Sequence, residues 1–169
     1  MTNDINSNLF EQAMSVFIKN DYEGSVGLLN QIIGQEPDHK LAVTTRGVAE
    51  LRMNRPDAAI ESFNRSIEID PSYARAFHLR GLALESKGDN RAALDDFNRA
   101  IELNPQYGAA YHSRGTLYAK MGQVDLATSD IQEVTRLTNV NIETFANENN
   151  VWRSNQLRVE DMLESEMNR

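Results

Sequence analysis

Residues Ala74 to Tyr107 read ARAFHLRGLALESKGDNRAALDDFNRAIELNPQY, and this stretch decides the fold. In its first half Phe77, Gly81 and Leu84 stand at i, i+4 and i+7, the spacing of one helix face. Gly88-Asp89-Asn90 interrupts the pattern and offers a cap for a second helix. There Ala93, Phe97, Ala100 and Ile101 at i, i+4, i+7 and i+8 form another apolar face. Asn104-Pro105 ends it, because proline cannot continue the hydrogen-bond ladder. The stretch predicts two antiparallel helices joined by a short turn.

The same layout recurs along the chain. Pro37, Pro71 and Pro105 stand 34 residues apart, and so do the pairs Arg46-Gly47, Arg80-Gly81 and Arg114-Gly115. The unit from Lys40 offers Val43, Gly47, Ala59, Phe63 and Pro71. The unit from Gly108 offers Tyr111, Gly115, Tyr118, Gly122, Ala127, Ile131 and Val134, with Asn139 in the place of the proline. The unit from Asn6 has Leu9, Ala13, Val16, Leu29, Ile32 and Pro37. Pro56 falls at the start of a second helix, where proline is tolerated. A fixed period in this range marks a stacked array of repeats. Four units are expected, at about residues 6–39, 40–73, 74–107 and 108–141, within a domain of residues 1–141. In a fifth register Phe145 and Trp152 take the large-apolar and aromatic places, so residues 142–169 read as a C-terminal capping helix with an overhanging tail. That helix is expected from about Asn141 to Ser165.

Composition narrows the function. The 169 residues are 40% hydrophobic, which suits one domain with a continuous core. A net charge of −8 argues against nucleic acid as the partner, since phosphate contacts need clustered Lys and Arg. The chain has no cysteine, which excludes disulfides, thiol chemistry and cysteine-ligated zinc. The start Met1-Thr2-Asn3-Asp4 lacks the features of a secretory signal, and no apolar run is long enough to span a bilayer, so a cytoplasmic location is expected. Asn64-Arg65-Ser66 has the form of a glycosylation acceptor and, without a signal, reads as chance.

The layout resembles the tetratricopeptide repeat (TPR) family over residues 6 to 141. Phe77, Gly81, Leu84, Ala93, Phe97, Ala100 and Pro105 fit that family's pattern, with leucine for one tyrosine. The resemblance implies an all-α fold, a right-handed superhelical solenoid of antiparallel helix pairs whose first helices line a concave side. Small residues at Gly81 and Ala93 fit a close helix crossing, where a larger side chain would push the helices apart. Carried over from the family, the peptide groove would comprise Phe10, Met14, Phe17 and Ile18 of the first unit, and Leu41, Thr44, Val48, Leu51 and Arg52 of the second. It would continue with Arg75, His78, Leu82, Glu85 and Ser86 of the third, and Ala109, His112, Thr116, Ala119 and Lys120 of the fourth. The first-unit residues read equally well as local core. The family's grip on the carboxylate of a chaperone tail needs Lys and Asn where this chain has Phe10 and Met14, then Thr44 and Val48, so that clamp is absent.

His78 and His112, one period apart, read as polar groove residues rather than metal ligands, because only Glu85 is an acid nearby. Arg46, Arg80 and Arg114 read as structural, with Asp96 and Asp130 as partners for the last two. Ser62 stands where Asp96 does, so Arg46 is expected to turn elsewhere, to Glu61. No triad, phosphate loop or metal motif supports catalysis, and no cofactor is implied.

The function expected is therefore a non-catalytic adaptor or scaffold that binds a peptide or helix of a partner protein in its concave groove. The alternative is self-assembly, with Leu157, Val159, Met162 and Leu163 pairing with a second copy or filling a groove.

Overall fold

The computed structural model describes residues 2–141. Seven helices are followed by an eighth: α1 (Thr2–Ile18), α2 (Tyr22–Gln35), α3 (Lys40–Arg52), α4 (Pro56–Ile69), α5 (Ala74–Ser86), α6 (Asn90–Leu103), α7 (Gly108–Lys120) and α8 over residues 124–141. Each of α1 to α6 packs on the next, and α5 also touches both α3 and α7, so these first helices stand side by side in one wall of an all-α solenoid. The expected capping helix, and with it Phe145, Trp152, Leu157, Val159, Met162 and Leu163, lies outside the described residues.

Local chemistry sets the helix ends. Asn20, Asn54, Gly88 and Gly122 occupy the same place in each hairpin turn and all adopt positive φ, between 57° and 84°. Asn and Gly are the residues that tolerate this region best. Asp21 and Asp89 then cap α2 and α6 by accepting from the backbone N–H of Gly24 and Ala92. Between units, Asp70 accepts from the N–H of Ser72 and Asn104 from that of Gln106, closing a turn over each proline.

The core is a row of small clusters that bridge units. Phe63 and Phe97 are fully buried, Phe63 with Ala59 and Ala83, Phe97 with Ala93 and Leu117. Each ring thus lies between its own hairpin and the first helix of the next. It also rests on a glycine: a Cβ on Gly47 would stand 2.6 Å from the Phe63 ring, and one on Gly81 2.6 Å from the Phe97 ring. The expected close crossing at Gly81 is therefore a ring packed edge-on against bare backbone. Ile131 occupies the corresponding place in α8 but is 55% exposed, because none of the described helices follows it.

Three arginines tie the units together. Arg80 donates through Nε and Nη2 to both Asp96 carboxylate oxygens, at 2.8 and 2.6 Å, and through Nη1 to Asn64 at 2.7 Å. Arg114 repeats this with Asp130, at 2.9 and 2.6 Å, and Asn98 at 2.7 Å. Each guanidinium also lies over a ring of its own helix, Phe77 or Tyr111. Asn64 and Asn98 belong to the preceding unit's second helix, so each arginine joins three helices. Arg46 departs from the expectation of a Glu61 partner. It bonds Ser62 at 3.0 Å and Asn30 at 3.1 Å, and pairs at 3.7 Å with Glu50, which lies one turn along its own helix. Ser62 donates onward to Glu50 at 2.7 Å, so the shorter side chain passes the charge contact back to α3.

Two contrasting glycine changes test this packing. Gly81→Ala should lose about 1–3 kcal/mol, since the Phe97 ring is enclosed and must shift. Gly27→Ala, in the open interior of α2 with no neighbour within 4 Å, should gain about 0.5–1 kcal/mol. Urea melts of the two variants report both. In the same assay Arg80→Leu should cost about 3–5 kcal/mol by stranding the Asp96 carboxylate, whose side chain is 8% exposed.

Candidate functional site

First helices stacked side by side leave furrows between them, and one of these lies towards the N-terminal end. Met14 and Phe17 of α1, Leu41, Thr44, Thr45 and Val48 of α3, and Tyr73 and Arg75 at the start of α5 enclose a pocket of about 110 Å³. A shallower depression of about 390 Å³ follows, lined by Ser72, Tyr73, Ala74, Arg75, Leu103, Asn104 and Tyr107. Tyr73 and Arg75 line both, so the two form one trough.

Met14, Phe17, Leu41 and Val48 supply the apolar part of the wall. Met14 and Phe17 are half-buried, and Phe17 meets Tyr22 edge-to-face at 5.1 Å. Phe10 packs against the Ala13, Leu29 and Ile32 cluster and stacks on His39 at 5.7 Å, so it belongs to local core. Ile18 is exposed beyond the end of the trough. Val48 and Leu51 are half-buried against the Phe63 cluster and Leu82 against the Phe97 cluster. These three are packing residues as much as surface, and only Val48 lines the pocket.

Two expected groove residues are enclosed by the chain itself. Thr44 is buried; its hydroxyl lies 2.7 Å from the Ser66 hydroxyl and donates to the Lys40 carbonyl at 2.8 Å. His78 is 7% exposed, with Nδ1 3.1 Å from the Tyr107 hydroxyl and Nε2 2.9 Å from that of Ser113, and its ring rests on Phe97. Thr44 is held within its own hairpin, whereas His78 bridges to Ser113 of the next unit, and spacing alone reveals neither enclosure. Burial, reinforced by the positive charge of Arg75, pulls the His78 pKa down to about 4.

The charged positions divide in the same way. Glu85 is taken by Lys120 across the first helices at 2.6 Å. Arg52 and Arg75 are exposed and make no ion pair or hydrogen bond among the described residues. His112 and Thr116 are exposed on α7, where the Thr116 hydroxyl donates to the His112 carbonyl. They lie outside the trough, as do Lys120, Glu85 and Arg52. Sequence reasoning missed Tyr73 and Thr45. Tyr73 was accessible, since Tyr107 stands one period on, just ahead of the next first helix. Among the described residues no three His, Asp or Glu side chains gather as a metal site, and no helix is long and apolar enough to cross a membrane.

The tetratricopeptide repeat model matches residues 74–107, and two further TPR models match residues 47–88 and 97–128. The chain belongs to the tetratricopeptide repeat family. No curated protein matches its sequence. Solved structures share its fold. MamA from Desulfovibrio magneticus RS-1 is 18% identical with a TM-score of 0.72, covering 80% of this chain and 76% of that one. The thermophilic TPR protein TTC0263 of Thermus thermophilus is 19% identical with a TM-score of 0.70, covering 79% and 75%. The first TPR of Spaghetti (RPAP3), bound to the HSP90 peptide SRMEEVD, is 20% identical with a TM-score of 0.66, covering 69% and 93%.

The buried histidine makes a pH prediction with a definite sign. Its folded pKa, about 4, lies below the unfolded value near 6.5, so the unfolded chain takes up the proton first. The contribution is complete above pH 6.5 and fades as pH falls towards 4, by on the order of 2–3 kcal/mol. Thermal melts across this window should show the loss, and His78→Asn should flatten it. An NMR titration placing the His78 midpoint near 6.5 would contradict the enclosed geometry.

Proposed function

We propose that this chain is a non-catalytic scaffold that takes an extended or helical segment of a partner protein into the trough between α1, α3 and α5. The observation that carries the reading is the meeting of an apolar pocket with an unpaired cation. Met14, Phe17, Leu41 and Val48 offer carbon surface on one side, and Arg75 stands at the far lip without a partner among the described residues. Leu41 is 50% exposed, an apolar side chain left at the surface in the wall of a concavity. A segment with a large apolar residue beside a carboxylate fits this pairing of surfaces. The Spaghetti TPR, which binds a peptide, supports a peptide as the kind of partner.

Selection from a random peptide library by the purified chain should enrich sequences that join a bulky apolar residue to an acidic one. Leu41→Asp together with Arg75→Glu should weaken the selected peptides at least tenfold, with circular dichroism and melting temperature unchanged, because both side chains are exposed. Equal binding by the double variant would show that the trough is not the site.

A further inference from the structure

His78 is held between two hydroxyl groups, and the hydrogens these side chains share give the contact a direction. Nδ1 lies 3.1 Å from the Tyr107 hydroxyl and Nε2 2.9 Å from that of Ser113. With a pKa of about 4 the ring is neutral at neutral pH, so one nitrogen carries a hydrogen and the other a lone pair. Each hydroxyl brings one hydrogen of its own. Three hydrogens therefore serve two contacts, and one is left over at one end.

Which end follows from what lies around each hydroxyl. The helical hydroxyls of Thr44 and Thr116 donate to the carbonyl one turn back. Ser113 is turned to His78 instead and makes no other hydrogen bond among the described residues. It lines neither hollow of the trough, so a spare hydrogen there has no space to serve. Its hydrogen goes to Nε2, and Nδ1 keeps the ring hydrogen and donates it to the Tyr107 oxygen. The phenolic hydrogen is the one left over, with no acceptor among the described residues.

Tyr107 lines the wider hollow of the trough, together with Arg75. Burial raises the Tyr107 pKa, so the phenol keeps its hydrogen. The positive charge of Arg75 acts on both the phenol and the ring behind it, and no residue lining this hollow is acidic. Neighbouring polar groups are engaged, since the Ser72 hydroxyl donates to Asp70 and the Asn104 side chain accepts from the N–H of Gln106. One cation and one aimed hydroxyl thus face the same space with no acceptor between them. A guest amine or guanidinium meets repulsion there, whereas a carboxylate accepts from both. A phosphoryl group is held by clusters of arginine, and one arginine lines this hollow.

We propose that Tyr107, aimed by His78 and Ser113, donates to the guest carboxylate that Arg75 attracts, and so makes the trough choose an acid over its amide. The inference rests on the trough as the binding site. His78 and Ser113 are positioning residues that set which way the phenol donates.

NMR correlation of ring nitrogens with ring protons on the full chain reads the His78 tautomer, and hydrogen on Nδ1 is expected. Hydrogen on Nε2 overturns the proposal whatever the trough binds. Peptides selected by the trough are then compared with copies in which the side-chain or the terminal carboxylate is replaced by its amide, which identifies the one held. The acid should bind more tightly, and Tyr107→Phe should shrink that preference by about tenfold. Ser113→Ala should move the ring hydrogen to Nε2 and shrink the preference in the same direction, with Tyr107 and Arg75 intact. Equal weakening of acid and amide marks a packing role alone and overturns the proposal, as does a preference unchanged in either variant. The trough itself survives those results if Leu41→Asp with Arg75→Glu still loses the peptides. If that double variant binds as well as the parent, both readings fall.

Discussion

Burial of each second-helix ring by the next unit's first helix is the contact on which the rest depends. Phe63 cannot be buried by its own hairpin alone; Gly47 lets the ring lie against backbone on one side, and Ala83 of the following unit covers it on the other. Phe97 repeats this with Gly81 and Leu117. A hairpin of two short helices has too little core to hold itself, so stability passes from neighbour to neighbour along the line. Because each contact reaches only one unit away, the array is a row of small clusters.

The arginine ladder fixes what the rings leave free. Apolar packing tolerates some rotation of one helix on another, whereas a bidentate guanidinium–carboxylate pair does not. By reaching Asn64 or Asn98 as well, Arg80 and Arg114 set the angle between successive units and so the spacing of the first helices. The trough between α1, α3 and α5 inherits its width from that spacing. Arg46, with Ser62 and Glu50 in place of a bidentate aspartate, holds its unit by a looser set of contacts. Burial raises the Glu50 pKa there, in keeping with a carboxylate drawn inward to meet the arginine and the serine.

Much of this was legible in the chain because a period repeats its own evidence. Helix pairs, glycine crossings and the Arg80–Asp96 and Arg114–Asp130 pairs follow from residues that recur at one interval. The Asn30, Asn64 and Asn98 rung lay at the same interval and could have been read by asking what else recurs beside each arginine. The burial of Thr44 and His78 was not legible, for a different reason. A helical wheel says which face a residue takes, but not how near the adjacent helix comes to that face.

By itself the sequence determined an all-α array of stacked hairpins, the position of its turns and the chemistry of its interior, since these depend on interactions within one period. Tertiary structure alone decided which first-helix residues remain open to a partner, because that depends on the distance between units. It decided too that Arg75 stays unpaired among the described residues while Lys120 finds Glu85, and that α8 runs on where α4 and α6 turn back. Exposure is a property of neighbours, and a linear pattern names the neighbours without measuring how closely they pack.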